Sequence, residues 1–78
     1  MKQNKEIVAE ALLKINPRLH IESKDMIGNG ELDSLRIVML VTELGAAFDI
    51  VIPVREIVPE NFRSVETLTA MIERLSDI

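Results

Sequence analysis

An all-α fold is the expectation for this chain of 78 residues. Three segments repeat apolar residues at intervals of three and four, which places those residues on one face of a helix. Two of the three open on a residue that caps helices well, Asp33 and Ser64. The one β-branched run, Asp49-Ile50-Val51-Ile52-Pro53, has no second run to pair with, so it reads as an extended connector.

The first helix is expected from Lys2 to Ile15, with Ile7, Val8, Ala11, Leu12 and Ile15 on its inner face. Glu10 and Lys14 stand four apart in the favourable order for an ion pair. Asn16-Pro17 ends the helix, because a residue before proline is pushed out of the α region. A long loop follows to Leu32, with Gly28-Asn29-Gly30 as its turn. Leu19, Ile21, Met26 and Ile27 are the side chains expected to pin it to the core. Asp33 then caps the second helix, Ser34 is its first residue, and the apolar pattern runs to Phe48. Gly45 near its end is a place where the helix frays at little cost. Residues Val54 to Phe62, broken by Pro59, hold one or two short helical turns. Ser64 caps the last helix, whose inner face is Val65, Leu68, Met71, Ile72 and Leu75.

A chain of this length buries about 60% of its unfolded surface, enough for one small core and one domain, residues 1–78. The absence of cysteine excludes a disulfide framework and a thiolate metal site, and it fits a reducing cytoplasm. Nine Lys and Arg against thirteen Asp and Glu leave a net charge of −4, which argues against nucleic acid as a partner. No apolar run approaches the roughly 20 residues of a membrane span, and no signal peptide is expected. The single histidine, His20, limits acid–base chemistry and reads as a surface residue. Asp25 to Gly30 lacks the ligands of a calcium loop, and no other grouping suggests a metal. Glu56 and Glu60 read as a solvated face.

The second helix is apolar on two sides. With Ser34 at 0° and about 100° per residue, Ile37, Leu40, Val41, Leu44 and Phe48 fall between roughly 240° and 340° as a core stripe. Ile52, Ile57, Leu68 and Ile72 are expected to join that interior. Leu35, Val38, Met39, Thr42 and Ala46 form a second arc between roughly 40° and 140°. Either the neighbouring helices cover this arc, or it is an exposed surface for a partner. Arg36 and Glu43 fall between the two stripes, expected in water with cancelling charges.

Asp33-Ser34-Leu35 is the other feature with two readings. It is a cap followed by an ordinary first-turn serine, or a modification site. Nothing in the sequence activates Ser34 as a nucleophile of its own, since Gly-x-Ser-x-Gly is absent and the helix holds no histidine. A catalytic residue is therefore not expected.

Gly30-Glu31-Leu32-Asp33-Ser34-Leu35 and Phe48 to Pro53, with a capped final helix behind them, resemble the acyl carrier protein superfamily over Lys5 to Leu75. The resemblance implies a four-helix bundle with a long first loop and a short third helix, around Val54–Val58 or Pro59–Phe62. It implies a 4′-phosphopantetheine arm, taken from coenzyme A, on Ser34, flanked by Asp33 and Leu35. It implies a partner face of Leu35, Arg36, Val38, Met39, Thr42, Ala46 and Glu56. The expected partners are a phosphopantetheinyl transferase and acyl-activating ligases, acyltransferases or synthases of lipid or specialised-metabolite assembly, working on a cytoplasmic monomer. Arg36, Met39, Gly45 and Ala46 stand where fatty-acid carriers are commonly acidic, which points to a carrier dedicated to another pathway. The rival expectation is an unmodified helical adaptor that binds partners through the second arc.

Overall fold

The computed structural model describes residues 2–76. Three α-helices follow one another: α1 (Asn4–Ile15), α2 (Ser34–Phe48) and α3 (Val65–Ser76). α1 packs against both α2 and α3. No strand is present among the described residues, and Asp49 to Pro53 runs as an irregular connector. The segment expected to be a short third helix is instead two 3-10 turns, Val54–Glu56 and Pro59–Phe62. Pro59 explains the break: Val58 before it is extended (φ −129°, ψ 152°), as a residue preceding proline must be.

The helices close around Val8, Leu12, Leu40, Leu44, Phe62, Leu68, Met71 and Ile72, each fully buried. The inner faces of α1 and α3 follow the periodicity of the sequence, with Ile7, Ile15 and Leu75 half-buried at the margins. Glu10 and Lys14 do not pair with each other. Glu10 meets Lys2 at 2.7 Å, and Lys14 reaches across to Glu43 of α2 at 3.2 Å.

The long loop is tied down at four points. Leu19, Met26 and Leu32 are buried in the core, whereas Ile21, expected among them, is 42% exposed. A turn at His20–Ser23, closed by the Ser23 N–H on the His20 carbonyl, carries Ile21 outward. Met26 donates its N–H to the Arg63 carbonyl (2.8 Å) and accepts from Leu32 N–H (2.9 Å), so the loop is stitched to the start of α3 and to itself. Asn16 is more than a helix stop. It is buried, and its side chain donates to the Glu31 carbonyl (3.1 Å) and accepts from Arg18 N–H (3.1 Å), joining the two ends of the loop. Gly30 takes φ +83°, a left-handed conformation open to glycine without a Cβ penalty.

Glu31 is the electrostatic clasp of the same loop. Its carboxylate accepts from the His20 backbone N–H (2.7 Å), the His20 ring (3.1 Å) and the Asn29 amide (2.8 Å). The His20 backbone bond, helped by side-chain bonds from Ser23, Asn29 and His20, outweighs burial and holds this carboxyl at about 2 instead of the ordinary 4.5.

α2 does not fray at Gly45. The Gly45 carbonyl accepts the N–H of both Asp49 and Ile50 (3.0 Å to the latter), and Asp49 turns left-handed at φ 53°. A Cβ on Gly45 would stand 3.0 Å from the Ile50 carbonyl oxygen, so glycine permits this close reversal.

Truncating the fully buried Leu44 to alanine should cost about 2–5 kcal/mol in chemical denaturation, a large share of the stability of so small a domain. A midpoint within error of the parent would refute the core assignment. Glu31→Gln should destabilise the chain by about 1–2 kcal/mol at pH 7, because it exchanges charged hydrogen bonds for neutral ones. A carboxyl lowered on folding stabilises above its unfolded value and loses that contribution as pH falls through the folded one. The gap between parent and variant should therefore narrow below pH 4.5 and close towards pH 2, measured by urea unfolding across that range.

Candidate functional site around Ser34

The first turn of α2 is placed by its cap. The Asp33 carboxylate accepts from Arg36 N–H at 2.9 Å, and the Asp33 carbonyl accepts from Ile37 N–H at 2.9 Å. Leu32, buried at 2% exposure immediately before, fixes the angle at which the chain enters the helix. Ser34 is thereby held at the surface as the first helical residue, with Leu35 beside it at 69% exposure.

Ser34 and Asp33 form the polar edge of a groove of about 400 Å³. The rest of its wall is apolar: Ile27 and Leu32 from the loop, Ile37 from α2, and Ile57, Val58, Pro59 and Phe62 from the two 3-10 turns. Ile57, expected inside the bundle, is 36% exposed because the turn at Val54–Glu56 aims it into this groove wall. Ile37 is half-buried there for the same reason. The sequence indicated neither the groove nor the contribution of Val58 and Pro59, since their approach to Ser34 depends on the path of the turns.

The second arc of α2 is open to solvent. Val38 is 63% and Met39 44% exposed, and Thr42 and Ala46 are exposed too. α1 packs on α2, and the buried residues of α2, Leu40 and Leu44, lie on the other stripe, so coverage of both sides by neighbouring helices is ruled out. The Thr42 hydroxyl donates to the Val38 carbonyl (3.2 Å), which satisfies it within its own helix and leaves the arc largely apolar in character.

Three expectations about charge need correction. Glu56 is not on a solvated face: its carboxylate is paired with Arg74 and accepts from Asn61 (3.1 Å). It is half-buried because the 3-10 turn lays it against α3, so as a partner residue it is already occupied within the chain. Arg36 and Glu43 are half-buried rather than wet, and they do not offset each other. Glu43 is engaged by Lys14, while Arg36 lies 4.0 Å from Asp33 and faces a separate basin with Arg18.

His20 lines that second basin with its ring on Glu31, and Ser34 lines the first groove. The chain's single histidine is thus spent on holding the loop. Among the described residues no grouping of His, Asp and Glu could hold a metal ion, and no helix is long and apolar enough to cross a membrane. The site therefore presents a hydroxyl, an apolar groove beneath it and an apolar face beside it.

This chain is 36% identical over 53 residues to the D-alanyl carrier protein of Lactococcus lactis subsp. cremoris (strain MG1363), covering 68% of this chain and 67% of that protein. It is 41% identical over 58 residues to aminoacyl carrier protein 2 of Bradyrhizobium diazoefficiens, covering 74% of this chain and 63% of that one. Aminoacyl carrier protein 1 of the same organism is 51% identical over 41 residues, 53% of this chain and 46% of its own length. No family model and no solved structure matches the chain. With the all-α architecture, these similarities place the chain in the acyl carrier protein superfamily, as a carrier protein and not an enzyme.

Proposed function

We propose that this protein carries aminoacyl groups, D-alanyl among them, on a 4′-phosphopantetheine arm esterified to Ser34. The observation that carries the proposal is the placement of Ser34: exposed, fixed by the Asp33 cap, and set at the rim of an apolar groove. The cargo class follows from the relatives, which are named as D-alanyl and aminoacyl carriers.

The residues present fit such an arm. A phosphodiester on Ser34 meets the unbonded N–H groups at the start of α2, where an anion gains about 0.3–1 kcal/mol. Asp33 opposes it by charge. That carboxylate is already committed on one side to the Arg36 N–H, and the Arg36 guanidinium stands 4.0 Å from its other oxygen. When attached, the arm supplies a thiol, which this cysteine-free chain lacks, and a thioester on that thiol is the form in which an acyl or aminoacyl group is handed on. Ile27, Ile37, Ile57, Val58 and Phe62 offer the arm's hydrocarbon portions a surface out of water. A charged ammonium gains nothing from these walls, so an aminoacyl end remains outside, within reach of the next enzyme.

The base and the metal for attaching the arm come from a phosphopantetheinyl transferase, because among the described residues the groove at Ser34 holds no histidine and no metal-binding cluster stands in the chain. Ligases and transferases then visit the same end of the molecule, and Leu35, Val38, Met39, Thr42 and Ala46 are the surface they meet first. Methionine suits a face that several partners share, since its side chain adapts to each. Residues 1–78 work in this scheme as a single carrier domain and a monomer in the cytoplasm.

Incubation with coenzyme A and a phosphopantetheinyl transferase should add one arm to the intact mass, and Ser34→Ala should abolish the gain. No gain in the parent chain would favour the helical adaptor instead. Val38→Asp and Met39→Glu should slow aminoacylation of the loaded chain about tenfold or more, by burying a charge at the contact, with the amide spectrum of the fold unchanged. Unaltered aminoacylation rates in both variants would show that partners do not dock on this arc.

A further inference from the structure

The basin on the other side of the α2 start is unlike the groove at Ser34. It is an open concavity of about 510 Å³, and its wall holds Arg18 from the loop and Arg36 from α2, with His20 and Glu31 in the same wall. Two arginines against one ionised glutamate leave the lining a local excess of one positive charge in a chain of net charge −4. Arg18 has no ion pair among the described residues, and Arg36 has only the 4.0 Å approach of Asp33. Glu31 is the carboxylate in the wall, and its oxygens are taken up by His20 and Asn29. The backbone at Arg18 is anchored by its N–H on the buried Asn16 side chain (3.1 Å), and Arg36 is anchored by the helix. Two cations are therefore presented from anchored backbone, Arg18 without an ion pair among the described residues and Arg36 with only the long approach of Asp33.

Their position says what they face. Arg36 is two residues from Ser34 in the same helical turn. Any enzyme that acts at Ser34 covers this turn, and its surface passes over the basin. Cations this open to water hold a lone ion weakly, Arg18 being exposed and Arg36 half-buried. Several carboxylates fixed on one scaffold are held better, because the second contact forms at high effective concentration. We propose that Arg18 and Arg36 together seat an acidic segment of the enzyme that loads or unloads Ser34, fixing the orientation in which it lands on the apolar arc. This rests on the carrier function proposed for Ser34 and adds the chemistry of the partner: a carboxylate-bearing protein surface, steered and registered by opposite charge.

The test is an amide-resolved titration of the full chain with a tetraglutamate peptide, with inorganic phosphate and a tetralysine peptide as comparisons. Tetraglutamate should perturb Asn16 to His20 and Asn29 to Arg36 and saturate there. The effect should weaken about fivefold or more in the double variant Arg18→Gln, Arg36→Gln, and with salt raised from about 0.05 to about 0.5 M. Phosphate binding as tight as tetraglutamate would overturn the proposal in favour of a free-anion site. Perturbation scattered over the chain, equal effects of tetralysine, or insensitivity to the double variant would overturn it as well. Loading of the parent chain from coenzyme A is read separately by mass. Loading without peptide binding defeats the basin alone, and peptide binding without loading defeats the carrier function.

Discussion

The structure depends on how the first turn of α2 is fixed. One Asp33 oxygen caps the Arg36 N–H, and the loop before it leaves little freedom in where that cap can stand. Leu32 and Met26 are sunk in the core, Asn16 holds the Glu31 carbonyl, and Glu31 in turn holds His20. The long loop is consequently a brace. It sets one serine at a defined point on the surface, next to a groove whose far wall comes from residues more than twenty positions later. The attachment proposed for Ser34 calls for this rigidity at the root of the arm, so that each enzyme in turn would find the same starting point.

The two sides of that turn differ in kind. Towards the 3-10 turns the surface is apolar, with Ile37, Ile57 and Phe62 in the wall of the groove. Towards the loop it is polar, with Arg18 and Arg36 in one wall against the single carboxylate of Glu31, and Asp33 4.0 Å from Arg36. Along α2 itself runs an apolar arc with one polar member, Thr42, whose hydroxyl donates to the Val38 carbonyl. Apolar contact supplies strength without direction, and charge supplies direction with little strength in water. Both on one small surface suit a protein that must be recognised quickly, held briefly and released.

Much of this was legible in the sequence. Asp33 and Ser64 cap as their residue types and positions suggest, and the inner faces of α1 and α3 follow a helical period that leaves little choice of register. The exposed arc of α2 was visible as an excess of apolar residues for one helix in so short a chain. What stayed hidden depends on distance along the chain. Nothing in the local sequence tells that Arg18 stands with Arg36, that Lys14 takes Glu43, or that Arg74 takes Glu56. The angle around a helix places a charge on a face, but the neighbour that neutralises it comes from another element. Ile57 was misplaced for a related reason: a 3-10 turn has neither the length nor the period that reveals a buried side. Pro59 did announce that the third helix would be interrupted, through the extended Val58 it imposes.

The central claim is that Ser34 is the attachment point, and it is tested most directly on protein purified from its native host. Fragmentation of the peptide spanning the start of α2 should place a phosphopantetheine group on Ser34, on at least part of the molecules. A chain found bare at Ser34 in every growth condition, with its partners present, would contradict the claim.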